Sequence, residues 1–210
     1  MSKFSDWTVQ KLQKRFGLMD NHEHPVLLNW LAGIAEIDDA DETKLLALSK
    51  SLTHRIDYYN EQELIINVIA PVLGYIQFQG RTFSSFSERY ISSIIDGEEL
   101  SGFPDLLIAH GTQEPETPFF CLHEYKKTLE ADKDPHGQCL AAMLVAQQLN
   151  AHDMPIYGCS VLGKEWRFFV LIEKEFAISN VYIVTQNEVL DIVRILKVLK
   201  NKIVIYETQQ

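Results

Sequence analysis

The chain is short of cysteine, of basic charge and of uninterrupted apolar sequence, and each shortage closes off a class of protein. Its three cysteines, Cys121, Cys139 and Cys159, form no C-x-x-C pair. Each sits in an apolar context and the number is odd, so they read as buried thiols, not zinc ligands or a disulfide framework. His54, His110, His136 and His152 are scattered without metal-ligand spacing, which speaks against zinc. No stretch approaches the roughly 20 apolar residues that span a bilayer. The opening "MSKFSDWTVQKLQKRFG" lacks the apolar centre of a secretory signal, so a cytoplasmic protein without membrane association is expected. A Gly-rich phosphate loop, a G-x-S-x-G elbow and a reactive Cys-His pair are all missing, which disfavours a small-molecule α/β enzyme. Lys and Arg number 19 against 29 Asp and Glu, a net charge of −10. Proteins that hold DNA by phosphate neutralisation usually present a basic surface, so any nucleic-acid role here must come from a local patch. An acidic metal-binding cluster would itself add to the negative count.

What is present is ample apolar material: 46% of 210 residues, enough for one packed domain with a modest extension. Residues 1–58 read as helical throughout, an N-terminal helical extension, with "DWTVQKLQKRF", "HPVLLNWLAGIA" and "DADETKLLALSKSLTHRIDYY" as its pieces. Residues 59–210 form the second unit. "NEQELIINVIAPVLGY" is a helix that Asn60 can cap and Gly74 can stop. The period then shifts toward two, and "ERYISSIID", "GFPDLLIA" and "PFFCLHEYKKT" read as three consecutive strands. Asp134 and Pro135 open a helix to about Ala151, apolar over a wide surface and therefore buried against the sheet. "PIYGCSVL" and "EWRFFVLIE" are strands joined at Gly163-Lys164, "FAISNVYIV" is another, and "NEVLDIVRILKVLKNK" is a closing amphipathic helix. A strand trio, a crossing helix and a further strand make a mixed α/β sheet flanked by helices.

Three charges break this pattern where strands should be central. Asp105 begins one apolar run, and Glu124 and Lys126 end the next. Glu-x-Lys on a strand puts both side chains on one face, about 7 Å apart. An Asp at the start of the preceding strand can meet that Glu across the ladder. Phosphodiester hydrolysis asks for such a set: carboxylates for a divalent ion, which prefers oxygen ligands, and a lysine to orient the attacking water. The carbonyl of the intervening Tyr125 can face the ion.

With Pro104-Asp105 and Glu124-Tyr125-Lys126 in strand context, the segment "FPDLLIA…FFCLHEYKK" resembles the PD-(D/E)XK nuclease superfamily, the restriction-endonuclease-like fold. The helix, three-strand, helix, strand order from about 60 to 162 is similar to that family's core. "GKEWRFFVL" looks like a later strand of the nuclease domain of type I restriction subunits. The resemblance implies a restriction-endonuclease-like mixed sheet and a Mg²⁺- or Mn²⁺-dependent phosphodiesterase acting on nucleic acid, with DNA the expected substrate. It implies Asp105, Glu124 and the Tyr125 carbonyl as metal ligands and Lys126 as the residue assisting the attacking water. It adds Glu61, the acid of the first core helix, and Gln138, early in the helix after the lysine strand. The chain departs from some branches at Ala142, where a Tyr four residues after the Gln is common.

Each residue also has a plainer reading. Asp105 is then a turn residue after Gly102 and Pro104, and Glu124 with Lys126 a solvated ion pair of little energetic weight. Glu61 is then a carboxylate favoured by the helix dipole, and Gln138 an ordinary first-turn polar residue. Glu61 is preferred over Glu63 because it lies above Ile65 and Val68, on the face expected to meet the sheet. His123 must point away from Glu124 and pack against a helix. Lys127, Lys133, Lys164 and Arg167 are candidates to flank the cleft. The alternative function is a catalytically silent nuclease-fold module that binds nucleic acid or a protein partner. Residues 1–58 are the candidate surface for that partner or for a homodimer.

Overall fold

A computed structural model describes residues 2–127, 134–151 and 154–209. It is a mixed α/β arrangement in which helices cover both faces of a mixed sheet. In chain order the strands are β1 (Ser2–Lys3), β2 (Met19–Asp20), β3 (Phe83–Ser87), β4 (Ile91–Ile95), β5 (Glu98–Gly102) and β6 (Leu106–His110). They continue with β7 (Glu116–Lys126), β8 (Ile156–Leu162), β9 (Glu165–Ile172), β10 (Glu175–Ile178) and β11 (Tyr182–Ile183). The helices are α1 (Val9–Phe16), α2 (Pro25–Leu31), α3 (Asp39–Leu52), α4 (Glu61–Leu64), α5 (Ala70–Gly74), α6 (Pro135–Leu149) and α7 (Val189–Thr208).

The large sheet runs β2-β10-β9-β8-β7-β6-β3, with β11 also on β9. Neighbours from β3 to β7 are antiparallel, whereas β7 and β8 are parallel and joined through α6. β8 and β9 turn directly at Gly163-Lys164. On one face Leu122, Gly158 and Phe169 lie side by side under α6. A Cβ on Gly158 would come within 2.5 Å of Met143 Sδ, so the helix rests on the strand there. On the opposite face Trp30 of α2 stands edge-on against Tyr157 and Phe168 and donates its indole N–H to the Ile195 carbonyl of α7 at 2.8 Å.

A second, smaller sheet, β1-β5-β4, contacts the far side of α6. The helix is thus covered twice, and twelve of its fifteen residues are buried. That explains an apolar surface too wide for a helix with one wet side.

This second sheet corrects the expected strand trio. "ERYISSIID" is a strand, β4, but it leaves the large sheet and pairs with β5, inside the segment read as a connection. The first strand of the trio is instead β3, antiparallel to β6. The cause is Asp96-Gly97, both in the left-handed region at φ 49 and 81°, which folds β4 back on itself as a two-residue hairpin. "FAISNVYIV" likewise divides into β10 and β11.

Residues 1–58 also need correction, since two of their elements are strands and not helices. β1 adds to β5 in the small sheet and β2 adds to β10 in the large one. Leu12 and Phe16 enter the hydrophobic cluster around α6, while Leu27, Trp30, Leu45 and Leu52 enter the cluster on the opposite face. The expected boundary at residue 58 therefore runs through two shared cores.

Two helix entries position the site. Asn60 caps α4 by accepting from Glu63 N, and the Glu63 carboxylate accepts from Asn60 N in return. The helix widens into a π turn (Ile65–Ile69) just before Pro71, which has no N–H to return to the preceding turn. Asp134 caps α6 from His136 N and Gly137 N, and its other oxygen accepts Val9 N at 2.9 Å. That last bond ties the N-terminal segment across the start of α6. A side chain on Gly137 would meet Trp7 O at 2.4 Å, so a glycine is what lets the segment pass. Among the described residues no helix is long and apolar enough to cross a membrane.

Candidate active site

Strand alternation decides what each side chain of β7 can reach. Cys121, His123 and Tyr125 enter the core facing α2 and α7, whereas Leu122, Glu124 and Lys126 face α6. His123 is buried, shares a 2.8 Å hydrogen bond with the Tyr125 hydroxyl and stands edge-on to Phe78. Burial pushes its imidazole down to about 3, so it stays neutral and belongs to the packing. The three thiols are buried too, and burial pushes each above the ordinary cysteine range.

The ladder pairs Leu106 with His123, so one step further Asp105 stands opposite Glu124. Asp105 accepts a hydrogen bond from the Tyr125 backbone N–H, which ties the bend before β6 to the end of β7. The helical run from α4 through the π turn to α5, anchored by buried Leu64, Val68 and Val72, brings Glu61 from the side.

All these groups converge on the Lys126 ammonium. Its Nζ lies 3.0 Å from Glu124 Oε1, 3.6 Å from Glu61 Oε1 and 4.0 Å from Asp105 Oδ2. It also donates to the Tyr125 carbonyl at 3.0 Å. Glu124 is the most enclosed of the three carboxylates, with 8% of its side chain exposed, against 18% for Asp105 and 47% for Glu61. Glu63, engaged in the α4 cap, takes no part.

The electrostatics follow from this crowding. Burial, then the Asp105 charge, pushes the Glu124 carboxyl up to about 7, with Lys126 pulling the other way. Asp105 is also raised, by burial first, with Lys126 and the Tyr125 N–H opposing and Glu61 and Glu88 adding to the rise. Burial works to lower Lys126, but Glu124 and Asp105 more than reverse it, so the ammonium is held above the ordinary lysine range. The site carries more negative charge than one lysine neutralises, and a buried carboxylate at the edge of ionisation is the result.

Gln138 lies on the first turn of α6 and lines a cleft with Glu124, but it makes no bond to the cluster. Among the other expected flanking cations, Lys164 pairs with Asp57 at 3.6 Å and Arg167 donates to the Ser179 carbonyl at 3.1 Å. Lys133 lies outside the described residues. The sequence reading missed a polar row beside the cluster. Ser160 on β8 is the ladder neighbour of Glu124, and its hydroxyl shares a 2.8 Å hydrogen bond with His136 Nδ1 of α6. No spacing rule marks such a pair, because the two residues sit on different elements.

Among the described residues, no three His, Cys, Asp or Glu side chains are gathered closely enough to hold a metal ion by themselves. The donor set around Lys126 nevertheless suits a hard divalent cation. Two carboxylates and a carbonyl oxygen already surround one positive centre, the ammonium, and Mg²⁺ keeps several waters when it binds protein. No protein-family model matches the chain, and no curated protein matches it.

Proposed function

We propose that the chain is a divalent-metal-dependent phosphodiesterase acting on DNA, built on a restriction-endonuclease-like core. The observation that carries this is the convergence of Glu61, Asp105, Glu124 and the Tyr125 carbonyl within 4.0 Å of Lys126 Nζ. A solvated ion pair at a strand tip would not need a third carboxylate, nor would it be enclosed. The run of α4–α5, then β3, β6 and β7, then α6 and a parallel β8 supports the same reading, since it follows the order of helix, three strands, helix, strand.

Asp105 and Glu124, with the Tyr125 carbonyl, would hold Mg²⁺ or Mn²⁺. Bound there, the ion supplies charge stabilisation at phosphorus and a water of lowered pKa. Lys126, freed from its carboxylates, orients the attacking water and offsets charge developing on the phosphate. Glu61, more exposed, acts through a water, and Gln138 lines the adjoining cleft from α6.

The test is cleavage of plasmid and single-stranded DNA with Mg²⁺ or Mn²⁺, with and without EDTA. Hydrolysis that EDTA abolishes and that Asp105→Ala loses is the expected result. Wild-type rates in Asp105→Ala would sink the assignment. Metal-independent DNA binding without hydrolysis would favour the silent binding module.

A further inference from the structure

Next to the carboxylates the surface folds into a cleft of about 280 Å³ that Glu124 helps to line. Two buried polar atoms of its lining residues have no partner. Ser101 of β5 is 1% exposed and Gln138 of α6 is 6% exposed, yet the serine hydroxyl and the glutamine Nε2 have no hydrogen-bond partner. Buried polar atoms are nearly always paired, because a dry, unpaired one costs stability. Two in one cleft, from different elements, mark a place where a ligand's polar edge completes the bonding.

The mouth of the same cleft is aromatic. Tyr90 and Phe103 line it with ring centroids 5.2 Å apart, and they remain 47% and 62% exposed. Lys3 brings a positive charge beside them, its strand β1 pairing with Ser101. A flat ring with a hydrogen-bonding edge fits this combination of exposed π faces above and unsatisfied hydroxyl and amide below.

We infer that the cleft takes one unstacked nucleobase of a single-stranded nucleic acid. The ring lies against Phe103 and Tyr90, and its polar edge meets Ser101 and Gln138. The adjoining phosphodiester is thereby set beside Glu124 and Lys126. This rests on the phosphodiesterase reading and adds the substrate class to it. A base within a duplex has its faces stacked and its edge paired, so it offers the cleft neither.

Fluorescence anisotropy in EDTA, with a labelled oligothymidylate of about 12 nucleotides and a duplex of equal length, tests this. Wild type should prefer the single strand. Phe103→Ala and Tyr90→Ala should each weaken single-strand binding about tenfold, with duplex binding within about twofold and melting temperature unchanged; Phe103→Tyr should restore affinity. Unchanged single-strand affinity in Phe103→Ala, a preference for duplex, or no binding of either would overturn the inference. A cleavage assay separates the two readings. EDTA-sensitive hydrolysis that is indifferent to Phe103→Ala removes the base pocket and leaves the nuclease. Single-strand binding that depends on Phe103, without hydrolysis in Mg²⁺ or Mn²⁺, removes the nuclease and leaves the pocket.

Discussion

The two ends of β7 bury polar side chains in opposite ways. At the start of the strand, Asn150, which closes the C-terminus of α6, accepts from Phe119 N at 2.8 Å and donates to Phe119 O at 2.7 Å. Both ends of its amide are bonded, and it pins α6 to the strand. At the far end, beside the first turn of the same helix, Glu124 is buried with its pKa pushed up, while Gln138 and Ser101 are buried and unpaired. One helix and one strand thus carry a polar contact that completes the fold and a polar group that the fold leaves incomplete. A satisfied buried amide is cement. The unsatisfied ones beside Glu124 are, in the reading proposed above, left for a ligand.

The largest effect expected from this contrast is on chemistry. Lys126→Ala should lower DNA hydrolysis about a thousandfold, measured as initial rates at saturating Mg²⁺, with circular dichroism showing a folded protein. A variant that retains more than a tenth of the rate would make the ammonium structural, like Asn150. Asn150→Ala, at the other end, should do the reverse. Two buried backbone groups lose their partners, at a cost of about 3 kcal/mol, or roughly 9 °C in melting temperature. Hydrolysis per folded molecule should stay at the wild-type level.

The next effect is smaller and depends on pH. Glu124 has a folded pKa of about 7 against an ordinary 4.5. Stability associated with its proton is therefore fully present below about 4.5 and is lost as pH rises through 7. The metal-free protein should melt progressively lower across that window. Added Mg²⁺ should restore stability, by about 2.7 kcal/mol at a hundred times its dissociation constant, and more at pH 8 than at about pH 5.5. Thermal melts with Mg²⁺ and with EDTA check this, and Glu124→Gln should flatten both dependences. A wild-type melting temperature indifferent to Mg²⁺ at pH 8 would break the contrast between the two ends.

The smallest effect has an unusual sign. Gln138→Met removes a buried donor that has no partner, so the melting temperature should rise, by at most about 3 °C, while single-strand affinity falls. A fall in stability comparable to that of Asn150→Ala would show Gln138 to be a structural amide after all.

Much of this was legible in the residues because it depends on local rules. Asn60 and Asp134 sit at helix starts as their side chains dictate, and strand alternation alone puts Glu124 with Lys126 and turns His123 away. Asp96-Gly97 is a local hairpin signal too, but it does not say which sheet β4 joins. Sheet membership is not a local property: β3, "FSSFS", is a core strand only because β6 accepts it. β1 and β2, two residues each, exist through their partners alone. Ser101, Tyr90 and Phe103 carry no motif, and nothing in the linear order brings them to Gln138.

The sequence by itself determined the capped helices, the alternation along β7 and the chemical equipment of this protein, because helix caps, alternation and the Glu-x-Lys spacing act over a few residues. The tertiary structure alone decided that Asp105 would face Glu124, that Glu61 would reach the same ammonium, and that Ser101 and Gln138 would share one cleft. Those outcomes depend on strand register and on α6 being enclosed between two sheets, and such long-range packing is fixed only when the whole core closes.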